Sequence, residues 1–313
     1  MYNEYCIQKA NGGYDMTVYE QARAKINLSL DVTGRREDGY HLVRMIMQTL
    51  DLCDDLVFEN AEAGDGITLI TDSGILNKEQ SEGSDNLIIK AAKALEKETG
   101  RSFDVYISLT KRIPIAAGLA GGSADAAATL RGLNRLFDLK LSMDELRTIG
   151  LKLGADVPFC VEGGLCLCEG IGEILTPLTH LPSYPTVICK PALFVSTPSV
   201  YKAYDNLEAP FHPDVDAMLK AIYEYDGPAI PELLGNSLET VTANVHPIIK
   251  EIEMSMLKTR ALNAVMSGSG PTVFGLYNSV QEADAAAEIL KEKYPDFEIH
   301  STKFDYGFIE RYE

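Results

Sequence analysis

Apolar and polar residues alternate over residues 17–32: Ala24, Ile26, Leu28 and Leu30 fall on one side, Lys25, Asn27, Ser29 and Asp31 on the other. A period of two predicts a half-buried strand, because successive side chains leave a strand on opposite faces. A solvated face is the plainer account of the polar row, and spacing alone does not exclude it. Two or three further strands are predicted over 45–71, with a GDG turn at 64–66. Asp85 reads as the cap of a helix over 87–97 that stops at Gly100, and 103–109 as a strand. Ala127, Leu130, Leu133 and Phe137 then recur at helical spacing in an alanine-rich run, predicting a helix that begins near Ser123, capped by it or a neighbour. Ser142 and Glu145 form a capping box for the next helix, expected to end in a left-handed cap at Gly154. Residues 157–167 and 170–175 read as a hairpin. In the second half, 184–194 reads as a strand, STPSVYKAYD as a loop entering a short helix, and 205–231 carries little pattern. Helices are predicted over 236–258 and 280–293. Strands at 263–266 and 272–277 are joined by SGSGP, and a last strand covers 297–303. No internal repeat interrupts this order.

The most distinctive chemistry lies where a strand passes into the alanine-rich helix, in IPIAAGLAGGSADAAATLRGL at 113–133. Glycines before a helix start let the backbone approach a ligand and leave free N–H groups pointing at it. The helix dipole adds positive potential at the same end, so the segment suits an anion, most often phosphate. A ligand-free strand-to-helix turn is the plainer explanation. Gly118, Gly121 and Gly122, three glycines within five residues, favour phosphate. The Walker pattern, the dinucleotide fingerprint and the protein-kinase signatures are all absent.

Composition narrows the classes. At 313 residues two domains are expected, and 46% hydrophobic with 24% charged residues describes a soluble globular chain. Lys and Arg number 28 against 46 for Asp and Glu, a net charge of -18 with no long basic run. Such a chain repels nucleic acid and anionic membranes, so an anionic substrate must be drawn in by backbone N–H groups and single cations. Cys6, Cys53, Cys160, Cys166, Cys168 and Cys189 match neither a zinc site nor a CxxC pair. Buried free thiols and a cytoplasmic location are the expectation. No apolar run has a membrane span's length. The opening MYNEYCIQKANGGYD is polar, lacks a signal-peptide core and is expected to be a flexible extension over 1–16, with Met16 a candidate original start. Asp156, in GADVPF, stands at a predicted helix exit before an apolar run. A surface loop Asp and a functional carboxylate fit that place equally.

The glycine stretch resembles the central loop of the GHMP kinase superfamily, which wraps the phosphates of ATP. ARAKINLSLDVTGRREDGYH is similar to the opening strand and loop of the 4-diphosphocytidyl-2-C-methyl-D-erythritol kinase family, GADVPF to its catalytic aspartate segment and SGSGP to its third glycine motif. DNLIIKAAKAL and GNSLE also fit, and the resemblance covers nearly the whole chain from Thr17. It implies an α/β (α+β) two-domain GHMP kinase fold, with a ribosomal-S5-like ATP-binding domain over 17–165 and a ferredoxin-like domain over 166–313. It implies ATP-dependent phosphorylation of the 2-hydroxyl of 4-diphosphocytidyl-2-C-methylerythritol in the non-mevalonate route to isoprenoids.

Matched position by position, Lys25 and Asp156 fall on the catalytic pair. An alcohol must lose its proton during transfer, an Asp within reach can accept it, and a Lys keeps that Asp ionised and offsets charge on the moving group. Positioning dominates phosphoryl transfer, so base and orienting charge both stay open for Asp156. Asn27, Tyr40 and His41 match substrate-binding positions, His41 for hydrogen bonds to cytosine and Tyr40 for stacking; Tyr201 matches a second aromatic for the base. The ATP site maps to Pro114, Ala116, Ala117, Gly118, Leu119, Ala120, Gly121, Gly122, Ser123, Ala124 and Asp125, with Gly268, Ser269 and Gly270. Two departures stand out: Ala120 where many members carry Gly, and Asp125 where relatives have Asn or Ser. No residue is an unambiguous metal ligand, so Mg²⁺ is expected to be held mainly by ATP oxygens and water. Partners are then ATP and a cytidine diphosphate substrate, with no nucleic acid or membrane, in a monomer or homodimer. Alternatives are a homoserine- or mevalonate-type kinase, opposed by the DGYH loop, and a non-catalytic nucleotide-binding module, opposed by Lys25 with Asp156. RNA binding through the S5-like half is opposed by the charge.

Overall fold

The computed structural model describes residues 5–8, 14–71, 74–76, 86–179 and 181–306. In chain order come β1 (Tyr5–Gln8), β2 (Tyr14–Arg35), β3 (His41–Asn60), β4 (Ile67–Thr71) and β5 (Gly74–Leu76). Then follow α1 (Leu87–Thr99), β6 (Val105–Thr110), α2 (Gly121–Leu136), α3 (Met143–Leu151), α4 (Val157–Glu162), β7 (Leu165–Glu169) and β8 (Ile174–Pro177). The rest is β9 (Pro185–Lys190), α5 (Thr197–Tyr204), α6 (Val215–Tyr223), α7 (Ala229–Glu232), β10 (Gly235–Asn236) and α8 (Glu239–Val245). The chain closes with α9 (Ile248–Lys258), β11 (Asn263–Met266), β12 (Val273–Leu276), α10 (Val280–Lys293) and β13 (Glu298–Lys303). None of the described helices is long and apolar enough to cross a membrane.

Two compact units divide the chain, and neither is continuous in sequence. One takes Met1–Arg23, Cys53–Ile113 and Gly121–Glu162; the other takes Ala24–Leu52, Pro114–Ala120 and Gly163–Glu313. The resemblance implies a single boundary at 165/166. Because β2 and β3 each run on from one unit into the other, Ala24–Leu52 joins the later residues, which a single boundary could not express.

In the first unit the end of β3 pairs antiparallel with β6, β6 pairs parallel with β4, and β4 antiparallel with β5. Helix α1 buries Ile88, Ile89, Ala91, Ala92 and Leu95, one helical stripe, and α2 is buried almost throughout its alanine run. A buried ion-pair network anchors α2: Glu20 accepts from Arg131 Nε at 3.1 Å and from Arg135 at 2.6 Å, and Arg131 also donates to the Cys160 carbonyl at 2.8 Å. Removing one partner would strand a buried charge, which is far costlier than losing a surface pair.

In the second unit β9, β11, β12 and β13 form an antiparallel sheet in the order β11-β12-β9-β13, with α9 before β11 and α10 between β12 and β13. That order with a βαββαβ succession is the ferredoxin-like arrangement. The start of β3 pairs with β7, which forms a hairpin with β8, while β10 lies parallel to β2 with Asn236 opposite Leu30.

Several local expectations change. The polar row of β2 is not solvated: Lys25 is 4% exposed and Asn27 and Ser29 are fully buried. Of the two or three strands expected over 45–71 there are two, β3 and β4, with Gly64 and Gly66 at positive φ between them. Residues 157–162 are helix, not the start of a hairpin; a short apolar run does not distinguish a buried strand from a buried helix, and the hairpin is β7–β8. Asn86 caps α1 by accepting from Ile88 N, and Asp85 lies outside the described residues. Helix α2 begins at Gly121, so Ser123 lies within its first turn, and α3 ends at Lys152 in right-handed conformation instead of at Gly154. The span 236–258 breaks into β10, α8 and α9 because His246 precedes a proline and adopts φ -127°, ψ 81°. Of the expected extension, Tyr5–Gln8 pairs antiparallel with the start of β2; residues 1–4 and 9–13 lie outside the described residues.

Candidate active site

Within the second unit, the glycine loop is pinned by its apolar members. Pro114, Ala117 and Leu119 are buried, whereas Ala116 is exposed and Gly118 and Ala120 are half-buried. Ala116, Gly118 and Ala120 all take positive φ, at 52°, 74° and 57°. Two are alanines in a region that disfavours side chains, so the surrounding contacts must hold them there. They do: Lys25 N donates to Leu119 O at 3.1 Å, and Ser267 Oγ donates to Gly118 O at 3.1 Å. The approach is close enough that a Cβ on Gly118 would stand 2.4 Å from Ser267 O. Gly268, Ser269 and Gly270 are buried, and Ser269 Oγ hydrogen-bonds Thr197 Oγ1 at 2.8 Å. The two loops and residues 194–198 line a cavity of about 310 Å³.

Lys25 lies against the third glycine loop: a Cβ on Gly268 would be 3.5 Å from its Nζ. The ammonium donates to Asn27 Oδ1 at 2.8 Å, and Asn27 Nδ2 faces Met45 Sδ at 3.3 Å. Alternation along β2 therefore delivers a cation and its amide partner to one face. In the same unit His41 Nε2 meets Asp205 Oδ1 at 2.6 Å, and the other oxygen of Asp205 accepts from Arg35 at 3.1 Å. Tyr201 stacks on the imidazole with centroids 4.7 Å apart and planes at 26°. Tyr40, 59% exposed, ends the loop that leads into His41 at the start of β3. Asp205 and Arg35 were not identified from sequence, although Asp205 ends STPSVYKAYD and Arg35 lies in the GRREDGYH loop.

The first unit carries the remaining site residues. Asp156 is half-buried in the turn before α4, and its carbonyl accepts from Cys160 N at 3.0 Å. Val157, Phe159 and Val161 are fully buried, so the apolar half of GADVPF anchors the carboxylate's backbone. A Cβ on Gly154 would lie 3.9 Å from Ser123 Oγ, which brings this segment up to the start of α2. Gly121, Gly122 and Ser123 open that helix, followed by buried Ala124 and Asp125.

A charged cluster missed in the sequence sits at the same helix end. Lys111 Nζ contacts Asp54 at 2.5 Å and Asp125 at 2.8 Å, and a Cβ on Gly121 would be 3.2 Å from that ammonium. Asp54 is held by the N–H groups of Arg112 and Ile113 at 2.5 and 2.8 Å. Burial pushes the Asp125 carboxyl up to about 7; Lys111 opposes this, and the nearby Asp54 charge reinforces it. Lys111 is itself held above its ordinary value: burial opposes this, but Asp125 and Asp54 outweigh it.

A carboxyl whose folded value is raised holds its proton after the unfolded chain has lost its own. Asp125 therefore contributes declining stability as pH rises from about 4 to about 7, and a constant penalty above. Asp125→Asn is expected to flatten that decline, read as denaturation midpoints across the window. A slope identical to wild type would contradict the raised value.

Comparison with known proteins gives the family. Residues 86–164 match the GHMP kinases N terminal domain and residues 218–296 the GHMP kinases C terminal domain. The chain is 46% identical over 278 residues to the 4-diphosphocytidyl-2-C-methyl-D-erythritol kinase of Alkaliphilus metalliredigens, covering 88% of this chain and 92% of that protein. A crystal structure of 4-(cytidine 5'-diphospho)-2C-methyl-D-erythritol kinase superposes with a TM-score of 0.77 at 34% identity, covering 93% of this chain and 100% of that one. Homoserine kinase from Cytophaga hutchinsonii shares the fold, with a TM-score of 0.70 over 98% of this chain and 97% of its own, at 17% identity. The chain belongs to the 4-diphosphocytidyl-2-C-methyl-D-erythritol kinase family of the GHMP kinases.

Proposed function

We propose that the chain transfers the γ-phosphoryl group of ATP to the 2-hydroxyl of 4-diphosphocytidyl-2-C-methyl-D-erythritol, giving the 2-phosphate and ADP in non-mevalonate isoprenoid precursor synthesis. The observation that carries the substrate choice is the His41–Asp205–Tyr201 cluster, in the same unit as Lys25 and the two clasped glycine loops. In the tautomer that gives Nε2–H to Asp205, the imidazole Nδ1 is an acceptor, and the exocyclic amine of cytosine is a donor. Tyr201 supports that ring and, with exposed Tyr40, offers a face to the base.

In the transfer itself, Asp156 orients the attacking alcohol and accepts its proton, while Lys25 offsets negative charge on the moving group. Asn27 holds the ammonium in place. Backbone N–H groups of the glycine loops and the positive end of α2 receive the phosphates, with Lys111 as a cation at that end. The fit to Mg²⁺ is to an ion carried mainly by the nucleotide. Among the described residues no group of three or more His, Cys, Asp and Glu could hold a metal, yet Asp125 Oδ1 is buried without a hydrogen-bond partner beside the helix start. Such a carboxylate oxygen, its twin paired with Lys111, suits a hydrated Mg²⁺, whose charge would lower the barrier to transfer. Cys53, Cys160, Cys166, Cys168 and Cys189 are buried free thiols, which supports a cytoplasmic enzyme.

Tyr201→Ala is expected to raise KM for the cytidine substrate about three- to tenfold, the value of one aromatic contact, and to leave KM for ATP unchanged. Initial-rate kinetics with each substrate varied would check it. An unaltered cytidine KM would remove Tyr201 from base recognition.

A further inference from the structure

The GNSLE segment, 235–239, supplies none of the side chains assigned above, yet Asn236 and Glu239 bond the end of β11 and the SGSGP loop that follows it. Asn236 is 2% exposed. Its Nδ2 donates to Met266 O at 2.8 Å and to Gly268 O at 2.7 Å, and its Oδ1 accepts from Leu238 N at 2.9 Å. Both amide hydrogens are thus spent on one turn. Glu239 holds the end of β11 that leads into this turn, accepting from Met266 N at 2.8 Å. The segment is also fixed to the strand that bears Lys25 and Asn27: Asn236 lies opposite Leu30 on β2, and Ser237 N donates to Leu30 O at 2.9 Å.

Peptide planarity gives these bonds a consequence. In a trans peptide the C=O and the following N–H point in opposite directions. Anchoring Gly268 O on Asn236 therefore turns Ser269 N–H away from Asn236. Anchoring Met266 O likewise turns Ser267 N–H outward, where it donates to Thr272 O at 2.9 Å. Gly268 has φ 59° and no side chain to resist rotation, so the Gly268–Ser269 peptide needs an external lock. We propose that Asn236 is that lock: a positioning residue that fixes the direction of Ser269 N–H and the height of the third glycine loop against Lys25 for phosphoryl transfer. This rests on the kinase assignment above.

Asn236→Asp keeps the shape but sets a carboxylate oxygen against two carbonyls, which favours rotation of the Gly268–Ser269 peptide. It is expected to lower kcat/KM for ATP by roughly 10²-fold, the cost of a misplacement near 1 Å, while KM for the cytidine substrate is unchanged. Asn263→Asp is the control, because Asn263 Nδ2 donates to Pro231 O at 2.8 Å, off the loop; it should lower thermal stability without altering ATP kinetics. Folded Asn236→Asp with wild-type ATP kinetics would overturn the role. So would ATP and cytidine constants that fall together, in step with stability, as in the control. If Asn236→Asp does not fold, Asn236→Ser keeps a donor for one carbonyl and should show an intermediate loss for ATP; a wild-type value would equally overturn the role. A wild-type chain that turned over no cytidine substrate would count against the kinase assignment. Calorimetric titration of a non-hydrolysable ATP analogue into wild type and Asn236→Asp would still decide the lock, with weaker binding by the variant expected and equal binding contradicting it.

Discussion

Asp156→Asn is expected to fold and bind ATP normally while its turnover number falls roughly 10²- to 10⁴-fold, the range for loss of a positioned proton acceptor. The neutral amide keeps the shape of the carboxylate and removes both its charge and its basicity. The backbone under it should not move, because Val157, Phe159 and Val161 anchor the turn from within the core. Rates at saturating substrates, paired with calorimetric titration of ATP, separate chemistry from binding. Transfer through a late proton step would place the loss at the lower end of the range, since positioning then carries most of the catalysis. An unchanged turnover number would remove Asp156 from the mechanism.

Gly118→Ala is the second large effect. The added methyl would meet Ser267 O at 2.4 Å and Gly270 O at 3.1 Å, both backbone atoms, on a residue with φ 74°. Neither neighbour can swing aside as a flexible side chain would. The loops must separate or the glycine loop must change conformation, at about 1–3 kcal/mol of stability for overpacking. Separation also moves the phosphate-facing backbone, so kcat/KM for ATP should drop by roughly 10²-fold. Thermal unfolding and ATP kinetics on the same preparation check both parts. A variant with wild-type stability and ATP kinetics would show that the two loops do not need their close approach.

Much of this was legible in the sequence, and what was not turns mostly on contacts between residues far apart in the chain. Alternation located β2 and therefore the face shared by Lys25 and Asn27, but it could not tell a buried polar row from a wet one. That depends on what packs over the face, which is Gly268 with its loop for Lys25 and Met45 for Asn27. The glycine pattern found the start of α2 to within two residues. Long-range pairing has no periodic signature: Asp205 meets His41 across 164 positions, and Asp54 meets Lys111 across 57. The helix at 157–162 carries no helical signature because VPFCV is apolar on every face, so neither period shows. Asn236 stood inside a segment noted only for its resemblance, and only its three hydrogen bonds reveal a purpose.

The acceptor decides the matter most directly. Purified protein with ATP is offered the cytidylylated methylerythritol, homoserine, mevalonate and galactose in parallel, and ADP release is followed. Release with the first alone, with the new phosphate on the 2-hydroxyl, is the expected result. Release with homoserine or mevalonate and none with the cytidine compound would contradict it.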